Sequence, residues 1–193
     1  MYFEQSLWKK AYKYIAGIDE VGRGCLAGPV VAGAVILSED HTIVGIHDSK
    51  LLTPKKREKI AKVIYEQAIS VGIGIVEPKV IDEINILQAS MLAMKLAVAQ
   101  LNVKPDYLIV DGNLKPISAL PQISIVQGDR KSQSIAAASI VAKVYRDHLM
   151  AEYHQHYPQY DFLSNKGYPT AVHLKALQQH GATAIHRRTF SGV

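Results

Sequence analysis

The sequence contains a single cysteine, Cys25, which excludes an internal disulfide framework and any multi-cysteine zinc site. That scarcity suits a reducing compartment. Long apolar runs are also missing. The longest, Leu26 to Leu37, contains Gly28, Pro29 and Gly33 and stops well short of the ~20 residues that span a bilayer. The first fourteen residues hold Glu4, Lys9, Lys10 and Lys13 and no continuous apolar core, so no secretory signal is visible. These absences point to a cytoplasmic protein with no membrane partner, expected as a monomer. Acidic residues are the scarcer charge: 17 Asp and Glu against 22 Lys and Arg leave a net charge of +5. Such a balance permits a polyanionic partner, nucleic acid first, without requiring one. Histidine offers no obvious metal site. His154 and His156 flank Gln155 without a third ligand and read as a solvated helix end. Internal repeats and low-complexity segments are absent. What remains, 48% hydrophobic and 20% charged over 193 residues, is an ordinary single globular domain, with about residues 157–193 as a helical C-terminal appendage.

Strand and helix patterns alternate along the chain. Tyr14 to Ile18 is apolar, short and β-branched, and reads as a buried strand. Pro29 to Leu37 is apolar throughout, as in a strand covered on both faces. Ile43 to Ile46 is a possible short third strand. Thr53 followed by Pro54 is a helix start, an N-cap and then proline at the first helical position, with the helix running to about Gln67. Ser70 to Val76 reads as a strand broken by Gly72 and Gly74, and Pro78 to Ile84 as a short helix. Leu87, Met91, Met94, Val98 and Leu101 repeat at helical spacing and predict an amphipathic helix with those side chains inward. Tyr107 to Val110 and Ile123 to Val126 are further strands. A long helix capped by Ser132 or Ser134 then reaches about Tyr153, its first half buried. Another helix covers about 171–180. The order argues for an α/β fold with a mixed central β-sheet flanked by helices.

Three strands end in carboxylates: Asp19-Glu20, Asp111 and Asp129. Gly22 and Gly24 follow the first pair, Gly112 follows Asp111, and Gly128 precedes Asp129. Sites in open α/β sheets gather beyond the carboxyl ends of strands. Four converging carboxylates would repel one another and raise each other's pKa. A divalent cation removes that penalty, and an all-oxygen set without cysteine or paired histidine favours Mg²⁺ or Mn²⁺. Two such ions serve phosphodiester hydrolysis. The other reading is that these are turn residues, for which Asp and Gly are common. The composition does not separate the two.

The stretch Gly17-Ile18-Asp19-Glu20-Val21-Gly22-Arg23-Gly24 resembles the signature of the type 2 ribonuclease H family, and of bacterial ribonuclease HII in particular. The resemblance continues through Asp48-Ser49-Lys50, Asp82 to Leu87, Asp111-Gly112-Asn113, Ala137 to Asp147, Lys166-Gly167-Tyr168-Pro169-Thr170 and His186-Arg187-Arg188. It spans about residues 14–190. It implies a ribonuclease H-like fold, and an endonuclease that cuts RNA paired to DNA and cuts 5′ of single ribonucleotides embedded in duplex DNA. It implies that Asp19, Glu20, Asp111 and Asp129 bind two Mn²⁺ or Mg²⁺ ions. The Gly22-Arg23-Gly24 turn would contact the 2′-hydroxyl through its backbone, the group that separates RNA from DNA, and Arg23 could also contact phosphate. Tyr168 would stack on the sugar at the 3′ side. Lys50 and Ser139 are implied as further substrate contacts. Asp147 competes with Asp129 as a ligand, but one turn past Lys143 an ion-pairing role suits it better. Two positions depart from the family pattern: Cys25 stands where proline is usual, and Leu51 where a second lysine is common.

Two rival readings remain. A non-catalytic RNA–DNA hybrid- or duplex-binding module could use the same basic surface. Another nuclease or integrase of the same broad fold could share the carboxylates, though not the Gly22-Arg23-Gly24 turn.

Overall fold

The computed structural model describes residues 2–40, 43–46, 52–113 and 118–193. Lys50, with the rest of the segment 47–51, lies outside the described residues. Five strands form one sheet in the order β3-β2-β1-β4-β5. They are β1 (Ile15–Val21), β2 (Val30–Ile36), β3 (Ser70–Val76), β4 (Tyr107–Asp111) and β5 (Gln122–Ile125). β2 runs antiparallel to both β1 and β3, while β1, β4 and β5 run parallel. The parallel half therefore delivers the C-terminal ends of three strands to one edge.

Helices cover both faces. On one side α3 (Pro78–Ala99) packs on β2 and β3, and its Ala89, Ala93, Met94 and Ala97 join Ile18, Ala34 and Val110 in a core. On the other, α4 (Gln133–His156) crosses β1 and β2, with α2 (Pro54–Gln67) beside it. Thr53 caps α2 through its hydroxyl, and Ser132 caps α4 by accepting from Ile135 N at 3.1 Å. The short α1 (Tyr2–Trp8) is fastened to the start of α4. Its buried Glu4 accepts from Ser132 Oγ at 2.6 Å and from Ser134 N at 3.0 Å. A carboxylate at a helix N-terminus is favoured by the exposed N–H groups there. The chain closes with α5 (Phe162–Asn165) and α6 (Ala171–His180) around a separate apolar cluster.

Three sequence expectations are corrected. Residues 43–46 form a turn rather than a strand. β3 is continuous across Gly72 and Gly74, because these glycines let α3 approach: a Cβ on either would collide with the backbone carbonyls of Ala97 and Ala93. Of the side chains expected inward along α3 only Leu87 departs, at 43% exposed, while Met94 is buried and Met91, Val98 and Leu101 pack against the core beside Ala89, Ala93 and Ala97. The expected break between two helices near residue 85 is present as a kink. Asn85 takes φ 66° and ψ 164°, and its side-chain oxygen accepts from Leu87 N and Gln88 N. Among the described residues no helix is long and apolar enough to cross a membrane.

Candidate active site

The last in-register pair of β1 and β4 is Ile18 with Val110. One residue on, Asp19 and Asp111 leave adjacent parallel strands side by side, on the face opposite Ile18. That face is the one under α4. Gly17, two residues before Asp19, lies so close to the start of α4 that a Cβ would strike the backbone of Ser134 and Ile135. Asp19 is consequently 7% exposed. Its Oδ1 accepts from the Glu20 amide at 2.8 Å, and Ser139 of α4 is hydrogen-bonded to it. Ser139 thus lies against the carboxylate set.

Burial pushes the Asp19 carboxyl well above its ordinary range, and the charges of Glu20 and Asp111 push it the same way. The bonds from Ser139 and the Glu20 amide oppose this only in part. Glu20 is also raised, by burial first, with Arg23 lowering it and Asp111 raising it. Arg23 Nη1 lies 3.1 Å from Glu20 Oε1, with the arginine side chain 44% exposed and the glutamate 10%. Asp111 Oδ1 accepts from Gly128 N at 2.6 Å. That bond fixes the 3₁₀ turn Gly128–Arg130, entered through a left-handed Gln127 at φ 56°, which carries Asp129. Asp129 is 2% exposed. The structure thus brings Asp19, Glu20 and Asp111 within electrostatic reach of one another and ties the Asp129 turn to Asp111.

These carboxylates are not a closed cage. Among the described residues no group of three or more His, Cys, Asp or Glu side chains is arranged to hold a metal ion. Oxygens of Glu20 and Asp111 are turned instead to Arg23 and Gly128. The electrostatics nonetheless fit a divalent cation. A buried carboxyl raised by two neighbouring carboxylates is a site where positive charge is missing. The donors are all oxygen, as hard cations require.

The glycine turn sits directly beyond the carboxylates, and two buried arginines hold it. Arg187 donates to Gly22 O at 2.6 Å, Arg23 O at 2.9 Å and Gly28 O at 3.0 and 2.8 Å. Arg146 donates to Ala27 O at 3.0 Å, Pro29 O at 2.9 Å and Lys166 O at 2.9 Å. Both arginines are fully buried. Burial lowers Arg187 to about 10, which leaves it charged at neutral pH. Gly22 is required here twice over, by φ +93° and because a Cβ would run into the Arg146 side chain. A Cβ on Gly24 would lie 3.9 Å from Tyr168 Cε1. Tyr168, 41% exposed, therefore flanks the turn, with its side chain hydrogen-bonded to the buried Cys25. The cysteine at the proline position is accommodated in the interior.

Sequence reasoning placed Gly22, Arg23, Gly24 and Tyr168 around one site, and the structure brings them together. It reads Asp147 correctly as an ion-pair residue, 2.6 Å from Lys143 and 3.7 Å from Arg57. It missed Arg146 and Arg187. A signal existed for the first: Ile135, Ser139, Ala142 and Arg146 follow helical spacing down the face of α4 that meets the sheet. Arg187 lies in the block His186-Arg187-Arg188 that carries the family resemblance, but no helical or strand spacing marks it as buried.

A family model for ribonuclease HII matches residues 16–193. A ribonuclease HII of Enterococcus faecalis is 52% identical over 191 residues, which cover 99% of this chain and 74% of that protein. One from Caldanaerobacter subterraneus is 53% identical over 189 residues, 98% of this chain and 78% of its own length. Among solved structures, the ribonuclease H2 of Pyrococcus horikoshii superposes with a TM-score of 0.81 at 30% identity, covering 93% of this chain and 94% of the other.

Proposed function

The chain belongs to the ribonuclease HII family and is a metal-dependent endoribonuclease of RNA–DNA hybrids, and from that premise we propose that it also nicks duplex DNA 5′ of a single embedded ribonucleotide, leaving 5′-phosphate and 3′-hydroxyl ends. The observation that carries this reading is the juxtaposition of mutually repelling buried carboxylates with the arginine-held glycine turn and Tyr168. Asp19, Glu20, Asp111 and Asp129 would hold two divalent cations, Mn²⁺ or Mg²⁺. Such ions, when bound, turn water into a nucleophile and offset the charge of the departing 3′-oxygen.

The chain's own residues supply selection and aim. Gly22 and Gly24 present backbone that can approach a ribose without side-chain interference. Arg187 fixes the carbonyls of Gly22 and Arg23, so the 2′-hydroxyl would meet a rigid surface. Arg23 would exchange its contact with Glu20 for substrate phosphate once Glu20 is engaged. Tyr168 would stack on the 3′ sugar, where a deoxyribose marks the end of an RNA stretch. Ser139 holds the Asp19 carboxyl, and Lys50 would add a phosphate contact. The net charge of +5 suits a polyanionic substrate. The enzyme acts as a monomer in the cytoplasm, without a membrane partner.

The test is cleavage of a duplex with one ribonucleotide, in Mn²⁺, by the parent and by Asp111→Asn. The parent should cut once, on the 5′ side, and the variant should be slower by about 100-fold or more, since an inner ligand should matter at least as much as the outer-shell partners worth ~10–100-fold. An intact duplex, or a variant as fast as the parent, overturns the proposal. Chelation should stop cutting and spare binding.

A further inference from the structure

Two buried histidines lie behind Tyr168, in positions that contact neither the carboxylates nor the glycine turn. His173, on α6, is fully buried and His186 is 2% exposed. Their Nε2 atoms are 3.1 Å apart. Each ring's other nitrogen has a partner that fixes its proton. Thr183 N approaches His186 Nδ1 at 3.0 Å, and an amide can only donate, so this Nδ1 is bare. A neutral His186 then carries its proton on Nε2. His173 Nδ1 is 2.9 Å from the carbonyl oxygen of Tyr168, which can only accept, so that Nδ1 is protonated and His173 Nε2 is bare. The two assignments agree: His186 Nε2–H donates to His173 Nε2. A one-way chain of hydrogen bonds runs from the Thr183 amide through both rings to Tyr168.

The pair is held as a neutral unit. Burial lowers both histidines, and His173 and Arg188 help bring His186 to about 4. Tyr160 and Phe162 enclose the rings, with Tyr160 4.9 Å from His186 and Phe162 5.3 Å from His173 between centroids. The backbone around Tyr168 is fixed from several sides. Asn165 Oδ1 accepts from Gly167 N at 2.8 Å, Arg146 holds Lys166 O at 2.9 Å, and Thr170 N reaches Tyr168 O at 2.8 Å. His173 supplies the side-chain bond at Tyr168 itself, the residue whose ring must stay beside Gly24.

We infer that His173, oriented by His186, is a positioning residue for Tyr168, and that selection of a deoxyribose on the 3′ side depends on this histidine pair. The inference rests on the role proposed above for Tyr168. It is tested by the ratio of kcat/KM on a duplex with one ribonucleotide to kcat/KM on a uniform RNA–DNA hybrid. Asparagine can imitate a histidine Nδ1 donor, and glutamine the Nε2 atom. His173→Asn should keep the bond to Tyr168 and hold the ratio within about twofold of the parent, whereas His173→Gln should lower it about three- to tenfold, the effect of one lost hydrogen bond. At position 186 the order reverses: His186→Gln should retain the ratio and His186→Asn should lose it, which gives an independent test if a variant at 173 does not fold. Thermal melts should fall similarly for Asn and Gln at each position, because both lose the ring packing. Equal ratios for Asn and Gln overturn the inference. Tyr168→Ala separates the two levels. If it lowers the ratio while the histidine variants do not, the histidine role alone fails. If it leaves the ratio unchanged, the proposed role of Tyr168 fails and takes the histidine role with it.

Discussion

Asp19 is held where its own charge is disfavoured, and that has a measurable sign. Its folded pKa lies above the ordinary 3.8, through burial and then through Glu20 and Asp111. The folded state therefore keeps a proton that the unfolded chain has already lost. Stability falls as pH rises from about 3.8 through the folded pKa, so a penalty is already present at neutral pH. Asp19→Asn keeps an oxygen for the Ser139 and Glu20 amide bonds but removes the charge. In chelator at pH 7 it should raise Tm by a few degrees, given the ~2–4 °C that 1 kcal/mol makes at this chain length, while abolishing cleavage. Added Mn²⁺ should raise Tm of the parent and not of the variant. A lower Tm for Asp19→Asn in chelator would show that burial here is compensated. Gly24→Ala separates activity from stability in another way. The new Cβ meets only Tyr168, at 3.9 Å, so Tm should move by less than about 2 °C, while kcat/KM falls because the methyl fills the approach to the turn. The carboxylates were legible because each ends an apolar run beside glycine. Glu4, Arg146, Arg187 and the His173–His186 pair were not. A charged or titratable residue reads as solvated unless its partners are known, and the partners of Glu4, Arg146 and Arg187 are mostly backbone carbonyls and amides far away in sequence.

At the level of elements, the separation of α3 from the sheet is set by glycine and alanine. Gly72 and Gly74 of β3 face the carbonyls of Ala97 and Ala93, and Gly33 of β2 faces the carbonyl of Ala138 on α4. The sheet is thus gripped closely from both sides, which holds the ends of β1 and β4 in place. Gly74→Ala places a methyl group against helix backbone that cannot rotate away. It should cost about 3 kcal/mol or more, or roughly 6–12 °C in Tm at this size, and cleavage assayed well below Tm should be much less affected. A Tm within 2 °C of the parent, equivalent to roughly 1 kcal/mol or less, would mean that α3 can shift freely. Sequence periodicity found α3 and the inward side of Met91, Met94, Val98 and Leu101, but not the alanines that meet the glycines, because hydrophobic spacing weights size. The alanine face becomes visible only when the glycines opposite it are known. The same limit explains β3: glycine in a strand signals either a break or a close approach, and only the partner helix decides.

In the whole molecule, the glycine turn belongs as much to the C-terminal segment as to the strand that precedes it. Leu26 and Ala27, immediately after Cys25, pack with Met150, Tyr160, Phe162, Ala176, Leu177 and Ile185. Backbone bonds reinforce this, with Leu26 N to Gly167 O, Gly28 N to Ile185 O and Arg187 N to Leu26 O, each 2.8 Å. Arg187 then reaches back to Gly22, Arg23 and Gly28. At the far end, Trp8 lies on α1, which Glu4 ties to the start of α4, and α4 runs on to Arg146 and Met150. An appendage so interleaved with the turn it supports should not melt by itself. In urea, fluorescence of the single tryptophan, Trp8, and far-ultraviolet circular dichroism should give coincident transitions, as two-state unfolding requires. Arg187→Met leaves the carbonyls of Gly22, Arg23 and Gly28 without their charged donor. It should destabilise by about 3 kcal/mol or more and shift both probes together, although Trp8 is distant in sequence from the substitution. Cleavage should also fall below the melting range, because the turn loses the support that orients it. If the dichroism midpoint shifts while the Trp8 midpoint stays, residues 157–193 unfold as a separate unit, and the turn would then be held by β1 rather than by the C-terminal segment.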